Sequence, residues 1–257
     1  MSPERMSSFT DPYENAHGHE PAHGVRRFSR PYDAGDLDET IRACGGAIIE
    51  NIVSDQLITS CRTEIDQWFH EHGGASTAVF RGPPGIRIAA IVNKAPSASR
   101  VIGLPDILDT AGRLLAPLSA QSLLCAAEYL ESRPAPERHG EIHGLHRSTD
   151  IWPHVTIDDD PIAIHAIVPL AGFTVDNGGI WLAMDSHRLP AGEPPKPDTL
   201  AQVVANPGDV ILIRSDLWHC AGVDGTRDQP RRTLSIGYQV DWLRPIENGF
   251  FEINREP

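Results

Sequence analysis

The sequence predicts a mainly β fold with flanking helices, a sandwich or barrel in one domain, on three observations. Beyond Gln121 the chain breaks into short apolar runs at 123–130, 162–168, 180–183, 210–213 and 232–240, each bounded by turn residues. Glycine and proline number 22 each, enough to punctuate many turns. Ahead of Gln121 the apolar residues recur at helical spacing instead, which puts helices outside the β core. A chain of 257 residues suits one such unit, because barrels and sandwiches reach roughly 200–250 residues as single domains.

The elements follow in order. Residues 1–31 are polar, carry His17, His19 and His23 without apolar periodicity, and read as a flexible N-terminal arm. Residues 32–257 then form the domain. Leu37, Ile41 and Cys44 make one face of a helix that Gly45-Gly46 stops, and 47–52 reads as a short buried strand. Ser54 caps a second helix with Leu57, Ile58, Cys61, Ile65, Trp68 and Phe69 on one face. A third amphipathic stretch at 105–118 presents Ile107, Leu108, Ala111, Leu114 and Leu115 to a sheet. The loops at 80–92 and 140–143 read as lids without a chemical signature.

Composition excludes several classes. Lys and Arg total 22 against 35 Asp and Glu, a formal charge of -13 with no basic stripe, so nucleic acid and an anionic membrane surface are disfavoured as partners. No run approaches the roughly 18 apolar residues of a spanning helix, and the first thirty residues lack a signal-peptide core. The expectation is a soluble, cytoplasmic protein. Its four cysteines lie far apart with no C-x-x-C spacing, which suits reduced thiols.

Chemistry concentrates in two places. His146 opens the segment Leu145-His146-Arg147-Ser148-Thr149-Asp150-Ile151-Trp152-Pro153, and His219 closes Asp216-Leu217-Trp218-His219. Two imidazoles at strand ends of a closed β fold can converge on iron, copper or zinc. Among 12 histidines one such pair is weak evidence alone. Downstream, Asn206-Pro207-Gly208-Asp209 suits a tight turn that leads a strand toward His219. In the last strand, period two puts Arg231, Thr233, Ser235 and Gly237 on one face and Arg232, Leu234, Ile236 and Tyr238 on the other. A guanidinium among small hydroxyl residues can grip a carboxylate bidentately; the plainer alternative for Arg231 is a surface ion pair.

From Asp36 to about Trp242 the sequence resembles the phytanoyl-CoA dioxygenase family of Fe(II)/2-oxoglutarate-dependent oxygenases. The carrying segments are 46–66, Leu145-His146 through Pro153, Thr174-Val175-Asp176-Asn177-Gly178-Gly179, Ser186-His187, Pro207-Gly208-Asp209-Val210 through His219, and Arg231 twelve positions later. The resemblance implies a double-stranded β-helix of jelly-roll or cupin-like form. It implies that His146 and His219 ligate Fe(II) and that Arg231, with Thr233, holds the distal carboxylate of 2-oxoglutarate. A small organic molecule would be the substrate.

One departure stands out. The family motif is His-x-Asp, and Ser148 occupies the carboxylate position. A serine hydroxyl neither neutralises nor binds iron as a carboxylate does. Three alternatives stay open: Asp150 reaches the metal as third ligand; the position is open to a halide, as in halogenating relatives; or the chain is a non-catalytic partner, in a homo- or hetero-dimer with a homologous oxygenase. A smaller departure is Met184-Asp185, where the family has Pro-Gly.

Overall fold

The computed structural model describes residues 24–72, 85–136, 142, 144–152, 154–155, 159–190, 193–226 and 228–247. Strand β1 (Arg27–Phe28) runs parallel to β2 (Gly46–Ile49). The expected flexible arm therefore does not extend to residue 31. Residues 24–31 are tied down by this pairing and by Arg26, which reaches Asp36 and Thr40; the remainder of the arm lies outside the described residues.

Helix α1 (Ala34–Cys44) starts where the Asp33 carboxylate accepts the Asp36 N–H at 2.8 Å. It ends at Gly45, whose φ of 95° suits a residue without Cβ. Ser54 caps α2 (Asp55–His72) by accepting from the Leu57 N–H. Strand β3 (Gly85–Ile88) follows, then α3 (Ala98–Ile102) and α4 (Pro105–Leu115). The remaining strands are β4 (Ser122–Ser132), β5 (Ala163–Pro169), β6 (Ile180–Ala183), β7 (Leu200–Val203), β8 (Val210–Arg214), β9 (His219–Ala221) and β10 (Arg232–Val240).

Two sheets result, one of seven strands in the order β1-β2-β8-β5-β10-β4-β3 and one of three in the order β7-β6-β9. Adjacent strands are antiparallel except β1 with β2. Register assigns the faces, because side chains opposite one another across paired strands share a side. Ala166, Leu212 and Ile236 of the large sheet join Leu37, Ile65, Ile107 and Leu114 of the helices in one apolar cluster. Ile48, Ile167, Ile211 and Ile213 face the other way and pack with Ile180, Leu182 and Val203 of the small sheet. This is the two-sheet β core with helices outside that the sequence predicts, in double-stranded β-helix form.

Two departures from the expected elements matter to function. The segment expected as a lid at 80–92 contributes edge strand β3 at 85–88; residues 80–84, and most of 140–143, lie outside the described residues. His219 is the first residue of the three-residue strand β9, a strand that the sequence reading does not anticipate. Among the described residues no helix is long and apolar enough to cross a membrane.

Candidate active site

The two motif histidines meet through the backbone. His146 donates its N–H to the His219 carbonyl at 3.1 Å, and His219 returns the bond at 2.9 Å. This antiparallel bridge sets the imidazoles side by side, ring centroids 4.5 Å apart. Strand β9 is held in turn by β6, where Leu182 pairs with His219. Ser186 Oγ also accepts the Trp218 N–H at 2.9 Å.

Each ring is oriented the same way. His146 Nδ1 lies 2.7 Å from the Gly144 carbonyl, and His219 Nδ1 lies 2.8 Å from the Leu217 carbonyl. A nitrogen facing a carbonyl must carry the proton, so Nε2 is left with its lone pair. This is how protein hydrogen bonds fix a metal-binding tautomer. Burial, with His146 alongside, holds the His219 pKa well below its usual value and keeps the ring neutral.

Ser148, at the position where the sequence resemblance implies a carboxylate, lies beside the imidazoles. Its Oγ is 3.5 Å from His219 Nε2 and 3.4 Å from Nδ1 of a third imidazole, His165, on β5. Burial, and to a smaller degree His146, pushes the His165 pKa down to about 4. Asp150, the other candidate ligand, is turned away and does not join the imidazoles. The 148–151 segment is a tight helical turn, and the Asp150 carboxylate accepts from the Arg147 backbone N–H at 3.3 Å and from Arg147 Nε at 3.1 Å. Its side chain is 36% exposed.

Arg231 and Arg232 part company as period two requires. Arg232 points to the helical layer, where it bonds the Tyr129 hydroxyl at 2.7 Å and pairs with Asp66 of α2. Arg231 points inward and is buried, with Thr233 beside it on the same face. Nη1 donates to the carbonyls of Asn177 at 3.1 Å and Gly222 at 3.0 Å, and the guanidinium stands over the Phe173 ring. The two carbonyls are close because glycines make it possible. Gly178 has φ +86°, and a Cβ on Gly222 would fall 1.8 Å from the Gly178 oxygen. Burial lowers the Arg231 pKa to about 10, so the group stays charged at neutral pH.

Among the described residues no carboxylate lies within ion-pair distance of Arg231. A buried cation without a direct ion pair costs several kcal/mol, of which the buried Asp224 carboxylate offsets a part through space. Such a cost is retained where an anionic ligand supplies the missing charge, which is the donor chemistry a dicarboxylate requires. The residues also fit a divalent iron, with two adjacent imidazoles as nitrogen donors, although they offer it no protein carboxylate.

Sequence reasoning missed three inward-facing residues. His165 sits in an apolar run as a lone histidine. Arg87 of β3 and buried Glu128 of β4 form an ion pair on the inner face, in register with Leu130 and Ser235. Strand β3 was expected as a loop, so neither partner had a visible neighbour.

A two-sheet β core with a pair of adjacent imidazoles and an inward guanidinium defines the class of non-haem iron oxygenases. Residues 41–233 match the family model described as phytanoyl-CoA dioxygenase. The chain belongs to that family, and it is an Fe(II)/2-oxoglutarate-dependent oxygenase. The iron/alpha-ketoglutarate-dependent dioxygenase penM of Penicillium thymicola is 23% identical over 238 residues, covering 88% of this chain and 74% of its own. The dioxygenase swnH1 of Metarhizium robertsii is 23% identical over 271 residues, covering 97% and 86%.

Solved structures show the same fold. The non-haem alpha-ketoglutarate-dependent epimerase SnoN from nogalamycin biosynthesis superposes with a TM-score of 0.66 at 19% identity, covering 84% of this chain and 87% of that one. HygX from Streptomyces hygroscopicus, solved with nickel and 2-oxoglutarate bound, gives 0.61 at 17% identity, covering 84% and 90%.

Proposed function

We propose that this chain oxidises a small organic molecule at the inner face of its barrel. His146 and His219 hold the iron, and Arg231, assisted by Thr233, grips the distal carboxylate of 2-oxoglutarate. The observation that carries this is a buried Arg231 with no direct ion pair among the described residues, two positions from Thr233 on the same face and close to Gly222, which directly follows the His219 strand. When bound, iron with oxoglutarate and oxygen supplies the oxidant, with succinate and carbon dioxide as co-products.

The protein's own groups do the positioning. The Gly144 and Leu217 carbonyls fix the two imidazoles, and the Asn177 and Gly222 carbonyls aim Arg231. The Arg87–Glu128 pair lines the same face and offers a polar contact to substrate. His165 stands against Ser148, so the vacated carboxylate position is bordered by an imidazole and not left clear for a halide; this favours oxygenation over halogenation. The expectation of a cytoplasmic protein rests on the sequence.

Carbon dioxide release from 2-oxoglutarate labelled at its first carbon tests this reading, with Fe(II) and air, across a panel of small organic molecules. Release above background that vanishes in Arg231→Ala supports it. Iron-loaded protein with no release in any condition refutes it.

A further inference from the structure

We propose that His165 is the third protein donor at this metal site, so that three imidazoles hold the ion where relatives use two and a carboxylate. This rests on the iron reading above and deepens it. Strand register fixes the direction of the side chain. His165 pairs with Gly237 on β10 and with Ile213 on β8, and Ile213 lies in the cluster between the sheets. The imidazole therefore projects toward His146 and His219, with its ring centroid 6.3 Å from that of His219.

The neighbouring strand is thinned to admit it. A Cβ on Gly237 would fall 3.2 Å from His165 Nε2 and 2.7 Å from Cys125 Sγ. The Nδ1 edge of the ring faces the serine that replaces the carboxylate, at 3.4 Å. That is the outer limit of a hydrogen bond and a weak reward for burying an imidazole. Ser148 Oγ lies between two ring nitrogens, 3.4 Å from one and 3.5 Å from the other, which marks the gap that an ion would fill.

Among the described residues no three His, Cys, Asp or Glu already stand close enough to hold an ion. Coordination thus requires the His165 ring to rotate toward its two partners, past a side chain as small as serine. Neutral imidazoles suit divalent iron and copper. With three of them, the bound ion keeps its full charge for anionic cosubstrate.

Copper(II) loaded into the metal-free full chain reports the donors by electron paramagnetic resonance. The expected spectrum shows three imidazole nitrogens in the wild type and two in His165→Ala. Anaerobic Fe(II) dialysis should show affinity at least about tenfold weaker in His165→Ala, given that even outer partners of metal ligands are worth 10–100-fold. Adding Ser148→Asp to that variant should restore it. Two nitrogens in the wild type overturn the proposal, and this readout stands even if the variant fails to fold. Equal Fe(II) affinity and an unchanged spectrum in a folded His165→Ala also overturn it while leaving the iron reading intact. If the wild type takes up neither metal, the iron reading itself falls.

Discussion

Replacing Arg231 with alanine should separate ligand affinity from fold stability, because its charge is buried without a direct ion pair among the described residues. In the ligand-free protein the two carbonyl bonds of Nη1 and the through-space attraction of Asp224 are the return on burying a cation that is 8% exposed. Burial penalties of several kcal/mol per ion exceed that return. Arg231→Ala should therefore leave the apo melting temperature unchanged or raise it. Bound oxoglutarate would lose its counter-charge. Truncating one partner of a buried, hydrogen-bonded charge pair costs about 2–5 kcal/mol, which at about 1.4 kcal/mol per decade is a loss of roughly 30-fold to over a thousandfold in affinity.

Arg232→Ala gives the opposite pattern. It removes the bond to Tyr129 and the pair with Asp66, whose side chain is 61% exposed, so about 1–2 kcal/mol of stability is lost. Oxoglutarate affinity should stay within about twofold. Anaerobic calorimetric titration of oxoglutarate into metal-loaded protein, paired with apo melting curves, reads both. Equal affinity losses in the two variants, or a larger loss in Arg232→Ala, would refute the assignment of the two faces.

Further outcomes follow from the same geometry. Asp150→Ala should leave metal content unchanged, since the carboxylate serves Arg147; loss of metal from a folded variant would make Asp150 a ligand after all. Ser148→Asp should tighten Fe(II) binding in the absence of oxoglutarate, measured by anaerobic dialysis. Gly237→Ala should destabilise by about 1–3 kcal/mol in urea, because its Cβ would overlap Cys125 Sγ. Metal-free protein should lose stability as pH falls from 6.5 toward 4. His165 stays neutral when folded down to about 4, whereas the unfolded chain takes up the proton near 6.5, so acid favours the unfolded state. The His165 share of that loss is on the order of 3 kcal/mol at most, and His165→Gln should reduce the loss, leaving the part that His219 contributes.

Legibility in the sequence followed the range of the signals. His219 and Arg231 could be placed because a Pro-Gly turn and a period-two strand are local patterns, and the same alternation separated Arg231 from Arg232. The apolar runs at 180–183 and 232–240 matched β6 and β10 residue for residue. His165, Arg87 and Glu128 were not legible, because their meaning depends on register between strands distant in sequence. That register even shifts at Gly237/Tyr238, where β10 bulges against β4. Asp150 misled for a local reason: a helical turn of four residues returns its carboxylate to Arg147 instead of carrying it forward. Strand β9, three residues long, and the two-residue β1 are too short to leave a periodic trace.

The mutual dependence of iron and oxoglutarate binding tests most directly whether an oxygenase site can operate with Ser148 in place of a carboxylate. Neutral imidazoles give the dication no protein charge, so the cosubstrate must supply it, and two ligands that stabilise each other do so by the same factor. Anaerobic titrations of Fe(II) with and without saturating oxoglutarate, and of oxoglutarate with and without Fe(II), close that cycle. The expected result is tighter binding of each in the presence of the other by at least about tenfold, with the two factors equal, and a reduced factor in Ser148→Asp. Iron that fails to bind the wild type at any oxoglutarate concentration would contradict the claim and leave the chain as a non-catalytic partner of an active homologue.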